Sequence, residues 1–206
     1  MHIFITGIGT DVGKTVVSSV FVKALNADYF KPIQAGDLHY SDTDKVKALV
    51  NADSSHFYSN AYALNSPMSP HASAEIDQVK INKDHINRPG SDKDLIIEGA
   101  GGLLVPINQQ HCIADLIKPN DKVILVSRHY LGSINHTLLS HHYLTSKQID
   151  YELLFVGEEN KSTESIITKM TGKHPIGRLP MLDKVDAVSI AELAKNLKNQ
   201  IKEKLA

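Results

Sequence analysis

The sequence predicts an α/β fold, a single domain over residues 1–206 built on a doubly wound, mostly parallel sheet with helices on both faces. Two observations lead there. Short apolar runs of strand length alternate with segments whose apolar residues recur at helical spacing, and parallel strands need crossovers of that kind, which lay helices across both faces of the sheet. A glycine-rich turn also joins the first apolar run to the first helical segment, at the carboxyl end of a strand, where such sheets bind ligands.

The elements follow in order. His2-Ile3-Phe4-Ile5-Thr6 is an apolar run stopped by glycines, and Val16, Val17, Val20, Phe21, Ala24 and Leu25 then mark a helix. Further strands are expected at Tyr29 to Lys31, Asp94 to Glu98, Lys122 to Ser127, Tyr151 to Val156 and Ile176 to Leu179. Helices are expected at Thr43 to Val50, Asp84 to Asn87 or somewhat longer, Ile113 to Ile117, Ser133 to Lys147 and Ser162 to Met170. Near the C-terminus Ile190, Leu193, Ala194, Leu197, Ile201 and Leu205 share one face of an amphipathic helix, with lysines mostly off it. The stretch Gly36 to Pro70, rich in Ser, Asn, Asp and Pro, reads as loops around one or two short helices.

Composition narrows the partners. The net charge is −1 and the 22 basic residues are scattered, so there is no electrostatic footprint for nucleic acid or an acidic membrane surface. Met1 to Thr6 is too short for a signal sequence or a membrane span, and a cytoplasmic protein acting on a small molecule is expected. The lone cysteine, Cys112, has no partner for a disulfide and no zinc-type spacing around it, and reads as a buried small hydrophobe. His141 and His142 point about 100° apart on a helix and are expected at a surface or interface.

Gly7-Ile8-Gly9-Thr10-Asp11-Val12-Gly13-Lys14-Thr15 has the strand-to-helix context of a P-loop. Glycines let backbone N–H groups converge, the helix start adds partial positive charge and Lys14 adds a full one, which suits a triphosphate. Thr15, opening the helix, can offer its hydroxyl to a Mg2+ ion held by the phosphates. The loop is a variant, because Ile8 stands where the first glycine is usual.

Lys31 closes the second expected strand before Pro32, and Glu98 closes Leu95-Ile96-Ile97 and opens Gly99-Ala100-Gly101-Gly102. Strand ends of a parallel sheet meet over the P-loop. There Lys31 can neutralise charge on a transferring phosphoryl group, and Glu98 can hold Mg2+.

Five segments in this order resemble the dethiobiotin synthetase family: Gly9 to Thr15, Lys31-Pro32-Ile33-Gln34, Ser69-Pro70-His71, Glu98 to Pro106, and Leu131-Gly132-Ser133-Ile134-Asn135-His136. The resemblance spans roughly residues 1 to 182. It implies a cytoplasmic homodimer that uses Mg2+ and ATP to convert 7,8-diaminononanoate and CO2 to dethiobiotin. One amine forms a carbamate, the carbamate attacks the γ-phosphate, and the second amine closes the ring on the mixed anhydride.

The same resemblance assigns residues. Lys31, Lys14 and Thr10 take catalytic roles. Asp11, Val12, Gly13, Lys14, Thr15, Val16, Glu98, Gly99, Ala100, Gly101, Pro180, Met181 and Leu182 contact nucleotide. Thr10, Lys31, Ala35, Gly132, Ser133, Ile134 and Asn135 contact substrate, the last four by binding its carboxylate at a helix start across the dimer interface. Thr15, Glu98 and an aspartate of Ser41-Asp42-Thr43-Asp44 hold the metal, with Asp42 favoured over Asp44. Ser69-Pro70-His71 resembles a substrate-channel loop.

Two departures stand out. Gln34-Ala35-Gly36 lacks the Ser or Thr usual in the lysine-proline box, which removes a hydroxyl contact to substrate. Gly157-Glu158-Glu159-Asn160 replaces the Asn-Asp that often reads the base, leaving the nucleotide preference open with ATP as the default. The alternative is a regulatory ATPase of the partitioning or septum-placement type. Those proteins carry a second lysine early in the loop, where this chain has Gly9.

Overall fold

The computed structural model describes all 206 residues. The chain runs β1 (His2–Gly7), α1 (Lys14–Leu25), β2 (Asp28–Phe30), β3 (Ile33–Ala35), α2 (Asp42–Val50), β4 (Phe57–Tyr58), β5 (Tyr62–Leu64), α3 (Pro70–Ile76), β6 (Leu95–Gly102), β7 (Lys122–Arg128), α4 (Ser133–Ser146), β8 (Tyr151–Val156), α5 (Lys161–Thr171), β9 (Arg178–Leu179) and α6 (Ala187–Leu205).

Seven strands form one sheet in the order β4-β2-β6-β1-β7-β8-β9, and every neighbouring pair is parallel. From β1 the chain crosses by α1 to one side, and from β7 it crosses by α4 to the other. Right-handed crossovers in opposite directions put their helices on opposite faces. Accordingly α1 packs with α2 and α6, and α4 packs with α5. The direction reverses at β1, so the loop after β1 lies at the switch point of the sheet.

Both faces are covered, and the central strands carry continuous apolar runs for that reason. Ile3, Phe4 and Ile5 of β1, Leu95, Ile96 and Ile97 of β6, and Val123 to Val126 of β7 are buried in one continuous core. In α6 the residues Ile190, Ala194, Leu197, Ile201 and Leu205 are buried as their spacing predicts, while Leu193 is only half-buried. Each such Leu or Ile contributes about 1.5–3 kcal/mol by leaving water.

Local signals set the helix ends. Ser41 and Asp44 form a capping box for α2, and Asn160 and Asp186 accept backbone N–H groups at the starts of α5 and α6. Asn26, at φ 54°, ends α1 by donating its N–H to the Val22 carbonyl.

Several expectations are corrected. Glu98 does not end its strand: β6 continues to Gly102, which pairs with Gly7, and Glu98 pairs mid-strand with Ile5. The strand runs on past Glu98 because β1 supplies a partner for it, with a register shift between Ile5 and Gly7 and with Gly101 at φ 68°. The expected helices near Asp84 and Ile113 are short 3-10 turns, Lys83–His85 and Ile113–Leu116. The Asn82 side chain diverts the Asp84 N–H into a local turn, and Asp115 folds back on the Cys112 N–H at 2.6 Å. Cys112 is half-buried rather than buried, since it starts that turn at the surface. His142 is exposed, whereas half-buried His141 bonds the Tyr151 hydroxyl at 2.9 Å.

Four elements were not anticipated. The edge strand β4 and the small parallel sheet of β3 and β5 span two or three residues each, too few for a period to register. Helix α3 opens with Ser69 at its N-cap and Pro70 in its first turn, a start signal read in sequence as a loop.

Candidate active site

The sheet delivers its polar residues to one end. Beyond β1 the loop turns tightly. A Cβ on Gly7 would lie 2.5 Å from a Val12 methyl, and Gly13 sits at φ 94°, a conformation that side chains disfavour. Asp11 also has positive φ, at 55°, and the Arg128 guanidinium donates to its carbonyl at 2.9 Å. The loop borders a cavity of about 690 Å3.

Lys14 enters this cavity from the first turn of α1 with its side chain folded back, Nζ donating to the Gly9 carbonyl at 2.9 Å. Burial lowers its pKa to about 8; Glu98 opposes the shift and Lys31 adds to it. An anion in the loop would supply the charge this ammonium lacks.

Facing it, three elements assemble a buried charge cluster. Lys31 follows β2, Glu98 comes from β6 and Asp42 starts α2. Lys31 Nζ is bonded to a carboxylate oxygen of Asp42 and lies 3.2 Å from Glu98 Oε1. Thr15 Oγ1 donates to the same Glu98 Oε1 at 3.1 Å. Glu98 Oε2 accepts from the Tyr29 hydroxyl at 2.9 Å. Lys31 is buried, which alone would lower its pKa, yet Glu98 and Asp42 together raise it, so the lysine stays charged. Asp42 is held below the usual carboxylate range by Lys31, against the opposing effect of its burial. The Gln34 side chain accepts the Asp42 N–H at 3.3 Å, and Lys45 donates to Asp42 Oδ1 at 3.0 Å.

The donors suit a hard divalent cation. One hydroxyl and two carboxylates, all oxygen, surround a single ammonium, and Mg2+ binds such sets when phosphates and water complete its octahedron. No group of three or more His, Cys, Asp or Glu side chains is assembled for a metal.

Most residues singled out in the sequence line this one cavity: Thr10, Asp11, Gly13, Lys14, Thr15, Val16, Lys31, Ala35, Asp42, Glu98, Ala100 and Gly101, with Ser69 and Pro70 on its rim. Val12 and Gly99 are buried behind the loop and the strand, Gly99 against Phe4 and Ile113. Asp44 does not line the cavity, because both its contacts go to Ser41. Gly132, Ser133, Ile134 and Asn135 line a separate cavity of about 790 Å3 at the start of α4. Pro180, Met181 and Leu182 border neither of these cavities; Pro180 and Met181 are exposed just beyond β9. Sequence reasoning missed Tyr29, Lys45 and Arg128. Only Lys45, three residues after Asp42 on one helix, carried a signal.

The sheet, the loop at its switch point and the paired lysines define a nucleoside-triphosphate-binding P-loop domain. A family model described as an AAA domain matches residues 1–189. A chain of the MinC:MinD cell division protein complex of Aquifex aeolicus shares the fold with a TM-score of 0.59 at 14% identity, covering 96% of this chain and 95% of that one. A ParA family ATPase from Chlorobium tepidum superposes with a TM-score of 0.51 at 13% identity, covering 98% and 92%. At sequence level, the ATP-dependent dethiobiotin synthetase of Christiangramia forsetii is 54% identical over 199 residues, 96% of each chain. That of Cytophaga hutchinsonii is 48% identical over 172 residues, 82% of this chain and 83% of the relative. The chain belongs to the ATP-dependent dethiobiotin synthetase family and is a ligase.

Proposed function

We propose that the whole chain acts as one domain that carboxylates 7,8-diaminononanoate with CO2 and closes the ureido ring of dethiobiotin, releasing ADP and phosphate. Family membership supports the reaction, and the observation that carries its chemistry is the placement of Lys31 opposite the P-loop lysine. The two cations line the same cavity from opposite elements, α1 and the end of β2. The reaction makes or moves negative charge at each step, and fixed cations in a secluded site stabilise it most.

Lys14 and the loop N–H groups hold the phosphates. Lys31 neutralises the carbamate formed on one amine and the γ-phosphoryl group that the carbamate oxygen attacks as ADP departs. The second amine then adds to the carbamoyl carbon and expels phosphate, losing its proton as the ring closes. Thr10 lies at the exposed lip of the loop, where it can orient substrate. Thr15, Asp42 and Glu98 would hold Mg2+, which when bound neutralises the β- and γ-phosphate oxygens. Ala35 leaves its part of the wall without a hydroxyl.

The separate cavity at α4 fits a dimer in which Gly132 to Asn135 of each copy receive the carboxylate of a substrate bound by the other. Leu104, Leu131, Ile134 and Leu139 are exposed apolar side chains on the loop after β6 and around the start of α4, and a second copy would cover them. In this reading the enzyme is a cytoplasmic homodimer.

The test is to incubate the purified protein with the diamine, bicarbonate, Mg2+ and ATP, follow ADP release and weigh the organic product. ADP release that depends on the diamine, with a product of dethiobiotin mass, is the expected result. ADP release indifferent to the diamine, with no such product, would sink the proposal and favour the regulatory ATPase.

A further inference from the structure

The two oxygens of Glu98 have different employment. Oε1 faces the cavity beside Thr15 and Lys31, while Oε2 is turned into the core and accepts from Tyr29. The final torsion of a glutamate is broad and roughly twofold, so the side chain alone does not settle which oxygen faces the cavity or at what tilt. We propose that Tyr29 is a positioning residue for the metal-binding carboxylate, its hydroxyl anchoring Glu98 Oε2 so that Oε1 is presented to Thr15, Lys31 and Mg2+. This rests on the function proposed above.

Strand geometry explains why a tyrosine does this. Tyr29 of β2 pairs with Ile96 of β6, and Glu98 lies two residues further along β6 on the same face. Two residues of strand rise about 6.6 Å, a distance a tyrosine spans from its backbone to its hydroxyl and a serine or threonine does not. Tyr29 is 0% exposed and Glu98 1%, so water does not compete for the bond. The hydroxyl has no other partner within the protein, and a buried tyrosine hydroxyl ordinarily finds one. Phe57 is one neighbour of this fully enclosed ring, with centroids 6.4 Å apart and planes tilted by 45°.

Outer-shell partners of metal ligands act on affinity, and losing one typically weakens binding about 10- to 100-fold. The experiment compares wild type, Tyr29→Phe, Glu98→Gln and Phe57→Leu. Each is loaded with a non-hydrolysable ATP analogue without diamine, and Mn2+ binding is measured by loss of the free-ion paramagnetic resonance signal. The Mg2+ dependence of turnover is titrated in parallel. Tyr29→Phe keeps the ring and is expected to raise the Mn2+ dissociation constant and the half-saturating Mg2+ concentration by about 10-fold or more, with kcat at saturating Mg2+ largely recovered. Phe57→Leu, which alters packing around the ring without touching the hydroxyl, is expected to leave both unchanged.

If Tyr29→Phe binds Mn2+ as wild type does while Glu98→Gln does not, Tyr29 has no positioning role and the proposed function stands. If Glu98→Gln also binds normally, the assignment of the metal site fails and the role of Tyr29 fails with it. A loss in Phe57→Leu equal to that in Tyr29→Phe would trace the effect to packing and overturn the proposal.

Discussion

Arg88 grips Asp121 with both terminal nitrogens of its guanidinium, one of them 2.6 Å from Oδ2, and the two side chains are only 7% and 1% exposed. The same guanidinium donates to the Leu116 carbonyl at 2.8 Å and meets His2 Nδ1 at 3.1 Å. It ties the segment before β6 to the starts of β1 and β7, at the end of the sheet away from the P-loop.

Breaking this pair leaves a buried carboxylate uncompensated, which costs roughly 3–5 kcal/mol. Arg88→Ala should lose about that much unfolding free energy in urea while keeping its KM for ATP. A variant with normal stability would show that the buried carboxylate finds another partner.

Lys31→Met removes the cation facing Lys14 but not the P-loop. Turnover should fall by about 100- to 1,000-fold, as when a donor to developing charge is lost. Binding of an ATP analogue, followed by calorimetry, should change far less. Equal losses in both would place Lys31 in ground-state nucleotide binding instead.

The two aspartates of α2 should separate cleanly. Asp42→Asn weakens the pairing of Lys31 and should depress turnover with its Mg2+ dependence altered. Asp44→Ala should lower stability by about 1 kcal/mol through the lost capping box, with kcat retained. Urea unfolding and steady-state kinetics on both variants decide the matter.

Asp186 gives a pH dependence of known sign. Hydrogen bonding from the Ser189 N–H first, then Lys184, lowers its pKa to about 2. The folded value lies below the unfolded one of about 3.9. Its contribution to stability is therefore fully present above about pH 4 and is lost as the pH falls through about 2. The difference in urea midpoint between wild type and Asp186→Asn should be flat from pH 5 to 8 and shrink below pH 4.

How much of this could be read from sequence depended on distance along the chain. Gly7 to Thr15 carries its turn, its cation and its hydroxyl within one loop, so the loop that borders the cavity was legible outright. Lys31 and Glu98 were legible through the rule that strand ends share one edge, although Glu98 proved to lie within its strand. Tyr29 was not, because a buried tyrosine in an apolar strand reads as core, and its partner is 69 residues away. The resemblance favoured Asp42 over Asp44, and the physical difference between them lies in three dimensions, where one reaches Lys31 and the other closes the capping box. Pro180 to Leu182 reached the list of contacts by resemblance alone, and in one chain they stay outside the cavity.

The sheet ends on both sides in two-residue strands, β4 and β9. So short a rim offers a passing chain almost no row of free backbone donors and acceptors to template on. Pairing sheet onto sheet edge to edge is blunted in this molecule at both borders. Association between copies is left to side-chain surfaces, where it can be finite and reversible.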